Sequence, residues 1–174
     1  MKINIASVLK SDGASQPFSG LLELGSVEFM GSTITFTKPL EVKGSVYGLG
    51  DMIEISASIE GEYTAQCARC GEETVKQLST TLSESVRSDF SDADEECLSL
   101  TGNVLCISGA LEACVFGSIP IKILCTDTCK GLCTVCGTNR NKKDCNCDET
   151  VYDPRFAIFR NLQQRGVENG SSEE

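Results

Sequence analysis

Met52-Ile-Glu-Ile-Ser-Ala-Ser-Ile-Glu-Gly-Glu-Tyr63 decides the fold class. Ile53, Ile55, Ala57, Ile59 and Tyr63 alternate with Glu54, Ser56, Ser58, Glu60 and Glu62, a period of two that gives a strand one dry and one wet face, as in antiparallel sheets. Gly48-Leu49-Gly50-Asp51 reads as the turn before it, and Leu40, Val42 and Val46, set against Glu41, Lys43 and Ser45, as the strand before that. Further upstream, Val27/Phe29 and Ile34/Phe36 flank Gly31-Ser32 as a hairpin. Downstream, Leu78, Leu82 and Val86 recur among Thr80 and Glu84, predicting another strand over 74–86. Cys67-Ala-Arg-Cys70-Gly71 then falls at the tip of a long hairpin, where two thiols on a tight turn project together.

Past that hairpin, Asp89 to Glu96 carries five acids in eight residues and reads as a solvated linker. Asn103 to Ile107 predicts a strand, and Ser108 the N-cap of a short helix with Leu111, Cys114 and Val115 inward, ended by Gly117 and Pro120. Cys106 and Cys114 have no close partner in sequence and are expected to pack as small hydrophobes. Asp153-Pro154 starts a second helix, with Phe156, Ile158, Phe159 and Leu162 along one side and Gly166 at its end. The expected architecture is therefore α+β: a mainly antiparallel β domain with a short helix (1–120), a cysteine-rich metal-binding segment (121–150), a terminal helix (151–166) and a disordered tail (167–174).

Six thiols crowd into 23 residues at Cys125, Cys129, Cys133, Cys136, Cys145 and Cys147. Cys133-Thr-Val-Cys136-Gly137 is a Cys-x-x-Cys-Gly knuckle, in which two thiolates bind one tetrahedral ion and the glycine tolerates a positive φ. Cys67-Ala-Arg-Cys70-Gly71 repeats it. Four close pairs make two Cys₄ sites. Loop closure favours Cys133/Cys136 with Cys145/Cys147 and leaves Cys67/Cys70 for Cys125/Cys129. Zinc, one or two ions, is the default occupant. A redox Cys-x-x-Cys competes, but such motifs open a helix whose N-terminus lowers the thiol pKa, and none is predicted here.

Whole-chain properties set the context. The chain has 174 residues, is 40% apolar, and carries eleven cysteines. No apolar run approaches a membrane span and the first residues turn polar too soon for a signal peptide, so a reducing cytoplasm is expected. Formal net charge is −10, and two Zn(Cys)₄ centres would bring it to about −14, which disfavours generic polyanion binding. The basic residues Arg69, Lys122, Lys130, Arg140, Lys142 and Lys143 flank the thiols and read first as offsetting metal-site charge, second as RNA contacts. With no histidine in the chain, there is no imidazole base. Cys129-x₃-Cys133-x₂-Cys136 matches the radical SAM signature, but an antiparallel β platform and 38 residues after Cys136 cannot supply the β/α barrel which that chemistry uses.

The string Cys-x₃-Cys-Lys-Gly-Leu-Cys-x-x-Cys-Gly followed by Cys-x-Cys and Asp-Pro-Arg-Phe-Ala, with an upstream Cys-x-Arg-Cys, resembles the YceD family over about residues 30–163. Thr134 stands where that family commonly has Pro, and Arg140 where Leu is usual; neither change removes a thiol. The resemblance implies a non-enzymatic role in large ribosomal subunit assembly and rRNA accumulation, with no catalytic residues and no small-molecule substrate. Acidic charge then points to a basic ribosomal protein, or a large-subunit assembly intermediate containing one, as the partner, with RNA secondary. Arg155, Phe156 and Phe159 on the terminal helix are its expected contacts, the alternative being that this helix packs on the sheet.

Overall fold

The computed structural model describes residues 1–87, 89 and 96–147. Among these the chain is mostly antiparallel β-sheet with few helices. In order the elements are β1 (Lys2–Asn4), α1 (Ala6–Lys10), β2 (Ser15–Leu22), β3 (Ser26–Phe29), β4 (Ser32–Thr35), β5 (Leu40–Leu49), β6 (Met52–Gln66), β7 (Glu73–Arg87), β8 (Ser99–Thr101), β9 (Val104–Cys106) and α2 (Ser108–Ser118). Two compact units form: Met1–Cys129, and a second beginning at Lys130. No helix of the described residues is long and apolar enough to cross a membrane.

The first unit is built on the β6–β7 hairpin, paired without a bulge from Met52↔Arg87 to Gln66↔Glu73. Along β6, Ile53, Ile55, Ala57, Ile59, Tyr63 and Ala65 are buried, the face that the alternation predicts. Gly61 lies in the same row, and a Cβ there would collide with the Leu40 side chain, which fills its place. β5 adds Leu40, Val42 and Val46 to this core, and β7 adds Leu78, Leu82 and Val86. β5 lies between β2 and β6, while β4 continues along the same side of β6 through Ile34↔Ala65 and carries β3 with it.

Local chemistry shifts several expected boundaries. The β3–β4 turn is made by Met30 (φ 49°) and Gly31 (φ 77°) rather than Gly31-Ser32; two successive positive φ values match the twist of a two-residue hairpin. Helix α2 begins at Ser108 itself, with Ile107 in the cap position and no side-chain cap. The Ser108 hydroxyl instead accepts a hydrogen bond from the Met1 ammonium. The helix also runs through Gly117 to Ser118 before Pro120 ends the segment. Ala110, Leu111 and Val115 are its buried residues, and Phe116 stacks on Phe29 (5.7 Å between centroids) and meets Phe36 edge-on (6.5 Å). Cys97 and Cys114 pack at the margin of this core, and Cys106 is half-buried beside Ser108.

Besides β2 and β8, which no predicted strand covers, two elements carried too little periodicity to be predicted: β1, which pairs with β9, and the five-residue α1. Both bury single apolar residues, Ile3 and Val8. The acidic stretch between Asp89 and Glu96, the helix expected after Asp153 with Arg155, Phe156 and Phe159, and the 167–174 tail lie outside the described residues.

Candidate metal centres

Both Cys-x-x-Cys-Gly motifs fold the same way. At the β6–β7 tip the Cys67 N–H donates to Glu72 O (2.8 Å) and the Gly71 N–H to Cys67 O (2.9 Å). In the second unit the Cys133 N–H donates to Thr138 O (2.8 Å) and the Gly137 N–H to Cys133 O (2.9 Å). Gly71 and Gly137 have φ of 70° and 71°, a region that a Cβ disfavours. Identical sequence spacing therefore yields identical turns, each aiming two sulfurs the same way.

Each knuckle meets a second pair. Cys67, Cys70, Cys125 and Cys129 form one group and Cys133, Cys136, Cys145 and Cys147 the other, with the Sγ atoms of each group within 4.8 Å of one another. This is the grouping that loop closure predicts. In the first group Cys67 Sγ is 3.8 Å from Cys129 Sγ, and Cys70 Sγ is 3.7 Å from Cys125 Sγ. An ion bound to four thiolates at about 2.3 Å separates neighbouring sulfurs by about 3.8 Å, whereas a disulfide needs about 2.05 Å. The donor set fits a closed tetrahedral centre, and all eleven cysteines are free thiols.

Supporting bonds hold the first group in place. Ala68 N–H donates to Ile123 O (2.8 Å), docking the hairpin tip on the segment that leads to Cys125. Arg69 donates to Cys129 O (2.8 Å) and Lys76 Nζ to Cys125 O (3.5 Å). Sequence reading had placed Arg69 near the thiols but had no signal for Lys76, which reaches back from β7. Cys67, Cys70 and Cys129 are buried. In the second unit, an isolated bridge joins Leu132 to Asn139, and Asn141 Oδ1 accepts from Lys130 N–H (2.8 Å). Cys136 is exposed, with its sulfur 3.1 Å from the Thr138 hydroxyl.

Four crowded thiols cannot all ionise without a cation between them, and the protonation pattern reflects it. Burial pushes the Cys67 thiol up, but backbone hydrogen bonds from Cys125, Arg69 and Cys70 outweigh it and bring it down to about 6. Cys70 is lowered by its backbone bond at Glu72, yet burial and the thiols of Cys67, Cys125 and Cys129 drive it up to about 12. The second group repeats the split. Thr138, through its hydroxyl and then its backbone N–H, holds Cys136 down to about 6, while Cys136 first and burial next push Cys147 up to about 12.

Part of the sheet's acidic charge is neutralised by lysines. On the wet face, Glu62 pairs with Lys38 (2.9 Å) and Glu41 with Lys43 (3.0 Å).

The family described as "Large ribosomal RNA subunit accumulation protein YceD" matches residues 55–163, a span that contains all eight grouped cysteines. A relative in Arabidopsis thaliana, "Large ribosomal RNA subunit accumulation protein YCED homolog 1, chloroplastic", is 34% identical over 59 residues, 34% of this chain. That alignment covers 18% of the relative's own length. No solved structure matches the chain.

Proposed function

We propose that this chain, which belongs to the YceD family, is a zinc-organised, non-enzymatic factor for large ribosomal subunit assembly, needed for large-subunit rRNA to accumulate. The observation that carries this reading is the pair of four-sulfur groups inside the family span. A site with four protein thiolates leaves no open coordination position, which suits a structural ion rather than a catalytic one. Zinc tolerates that geometry without redox chemistry, and a reducing cytoplasm would keep the thiols available to it. Metal content by elemental mass spectrometry on reduced protein is the first test. About two zinc per chain supports the reading; iron with a visible absorption band would replace it with an Fe–S protein.

The partner that best fits the net charge of −10 is a basic ribosomal protein, alone or within an assembly intermediate. The Phe156/Phe159 helix, with Arg155, would supply the apolar anchor, since charge alone gives steering more than affinity. RNA contact is secondary in this reading. Pull-downs from lysate with and without nuclease separate the two: capture of large-subunit proteins that survives digestion supports protein contact, and capture that vanishes with the RNA would sink it.

A further inference from the structure

β7 runs from the first knuckle and leaves a long edge that the metal centres do not use. Among the described residues β7 pairs only with β6, so fifteen residues present one side of their backbone to no other strand. Natural sheets blunt such edges with short length, charged side chains, proline or bulges. The other two outer strands of this sheet do so: β3 has four residues, and β2 has eight and contains Pro17 and Gly20. β7, Glu73-Thr-Val-Lys-Gln-Leu-Ser-Thr-Thr-Leu-Ser-Glu-Ser-Val-Arg87, has neither residue and no bulge.

Its sequence is complementary to itself run backwards. Turned about Thr80, Glu73 meets Arg87, Lys76 meets Glu84, Leu78 meets Leu82, and Thr80 meets its own copy. Shifting the axis by one residue brings Lys76 opposite Leu82 or Val86 and loses both charge matches. Face parity agrees as well. Leu78, Leu82 and Val86 lie on the buried face, and the rotation returns even positions to even positions, keeping the two apolar faces on one side.

Hydrogen-bond phase is a separate condition, and it is met. Cys67 N–H bonds to Glu72 O, and bonded pairs alternate along an antiparallel ladder. The even residues of β7 therefore point their amides and carbonyls at β6, and the odd ones, Glu73 through Arg87, point outward. About Thr80, odd residues meet odd residues, Ser79 opposite Thr81 and Gln77 opposite Ser83, so outward donors face outward acceptors.

We infer that two copies of this chain associate through antiparallel β7–β7 pairing centred on Thr80, joining their sheets into one. Within its own chain Arg87 approaches Asp89 (3.8 Å) and Lys76 reaches Cys125 O (3.5 Å), so the register is read from charge reversals at both Lys76 and Glu84 and from Thr81→Pro together. Sedimentation equilibrium on the metal-loaded full chain should show a concentration-dependent species of twice the 18.6 kDa chain mass. Lys76→Glu alone places like charges opposite each other at both symmetry-related positions, and Glu84→Lys does the same with the opposite sign. Each should raise the dimer Kd by about tenfold or more. Mixing the two variants should restore wild-type affinity, because one chain then carries two glutamates facing the other's two lysines. Thr81→Pro removes an outward N–H without touching the β6 ladder and should also weaken the dimer. A wild-type chain that stays at 18.6 kDa at all concentrations overturns the proposal. So does a dimer indifferent to these changes, or a mixture that fails to recover. Zinc content of the Glu84→Lys and Thr81→Pro variants reads the proposed function independently of this outcome, whereas Lys76→Glu also removes the bond to Cys125 O.

Discussion

Replacing Cys67 and Cys70 together by serine removes half of the first sulfur group and, with it, the link between the hairpin tip and the end of the first unit. Cys70 and Cys125 are 55 residues apart in sequence. Closing a loop of that length in the unfolded chain is worth about 4 kcal/mol by the chain-entropy relation used for cross-links. The corresponding loop in the second group, Cys136 to Cys145, spans nine residues and is worth about 2.5 kcal/mol. The double variant should therefore bind one metal fewer per chain, keep the other, and lose about 10 °C from the unfolding transition of the sheet. Cys145→Ser with Cys147→Ser should also lose one metal yet leave the sheet transition nearly unchanged, since that loop lies wholly within the second unit. Elemental analysis and far-ultraviolet circular dichroism read both quantities. Loss of both metals, or of neither, from the Cys67/Cys70 variant would refute the grouping; an unshifted sheet transition would refute the cross-link argument.

Gly71→Val and Gly137→Val each force a β-branched side chain into a left-handed turn, at a cost of about 1–2 kcal/mol, and should weaken metal retention against a chelator at the affected group only. Phe116→Ala should cost about 3 kcal/mol in chemical denaturation, because it empties the ring's place between Phe29 and Phe36; a loss under 1 kcal/mol would contradict that packing. In metal-free, reduced protein, thiolate absorbance should rise first near pH 6 from Cys67 and Cys136, with Cys70 and Cys147 still protonated well above the ordinary thiol range. Thr138→Val should delay the Cys136 share of that first rise, and no delay would show that the hydroxyl does not hold the thiolate. On the metal-loaded protein, release should set in as pH falls, because protons compete with the ion for the thiolates.

The long elements were legible because their pattern is enforced along many residues. A one-residue slip in β6 would expose Ile53, Ile55, Ile59 and Tyr63 together, so the alternation there admits a single answer. The knuckles were legible for a different reason: spacing and glycine together specify a turn whatever surrounds it, and two copies of the motif fold alike. What escaped was structure fixed by contact at a distance. β1 exists because Met1–Asn4 lies beside a strand a hundred residues later, through Ile3↔Leu105. Ser108 looks like an N-cap locally, yet its hydroxyl is taken by the chain's first residue. Lys76 sits in an ordinary strand pattern, and only the fold brings its ammonium to Cys125 O.

That last contact bears on what the positive charges are for. A tetrathiolate zinc centre would carry −2, and charges of that size in a partly buried site need nearby donors. Arg69 and Lys76 direct theirs to the carbonyls of Cys129 and Cys125 rather than to solvent, and Lys130 lies 4.0 Å from Asp144 beside the second group. Arg69 and Lys76 are engaged locally, where phosphate contacts would need them turned outward. The wet face of the sheet shows the converse, since Lys38 and Lys43 each take up a glutamate. With a formal net charge of −10, long-range steering of the proposed basic partner would come from net charge and specificity from apolar contacts. Salt should therefore slow capture of such a partner more than it hastens release, since screening acts on the encounter.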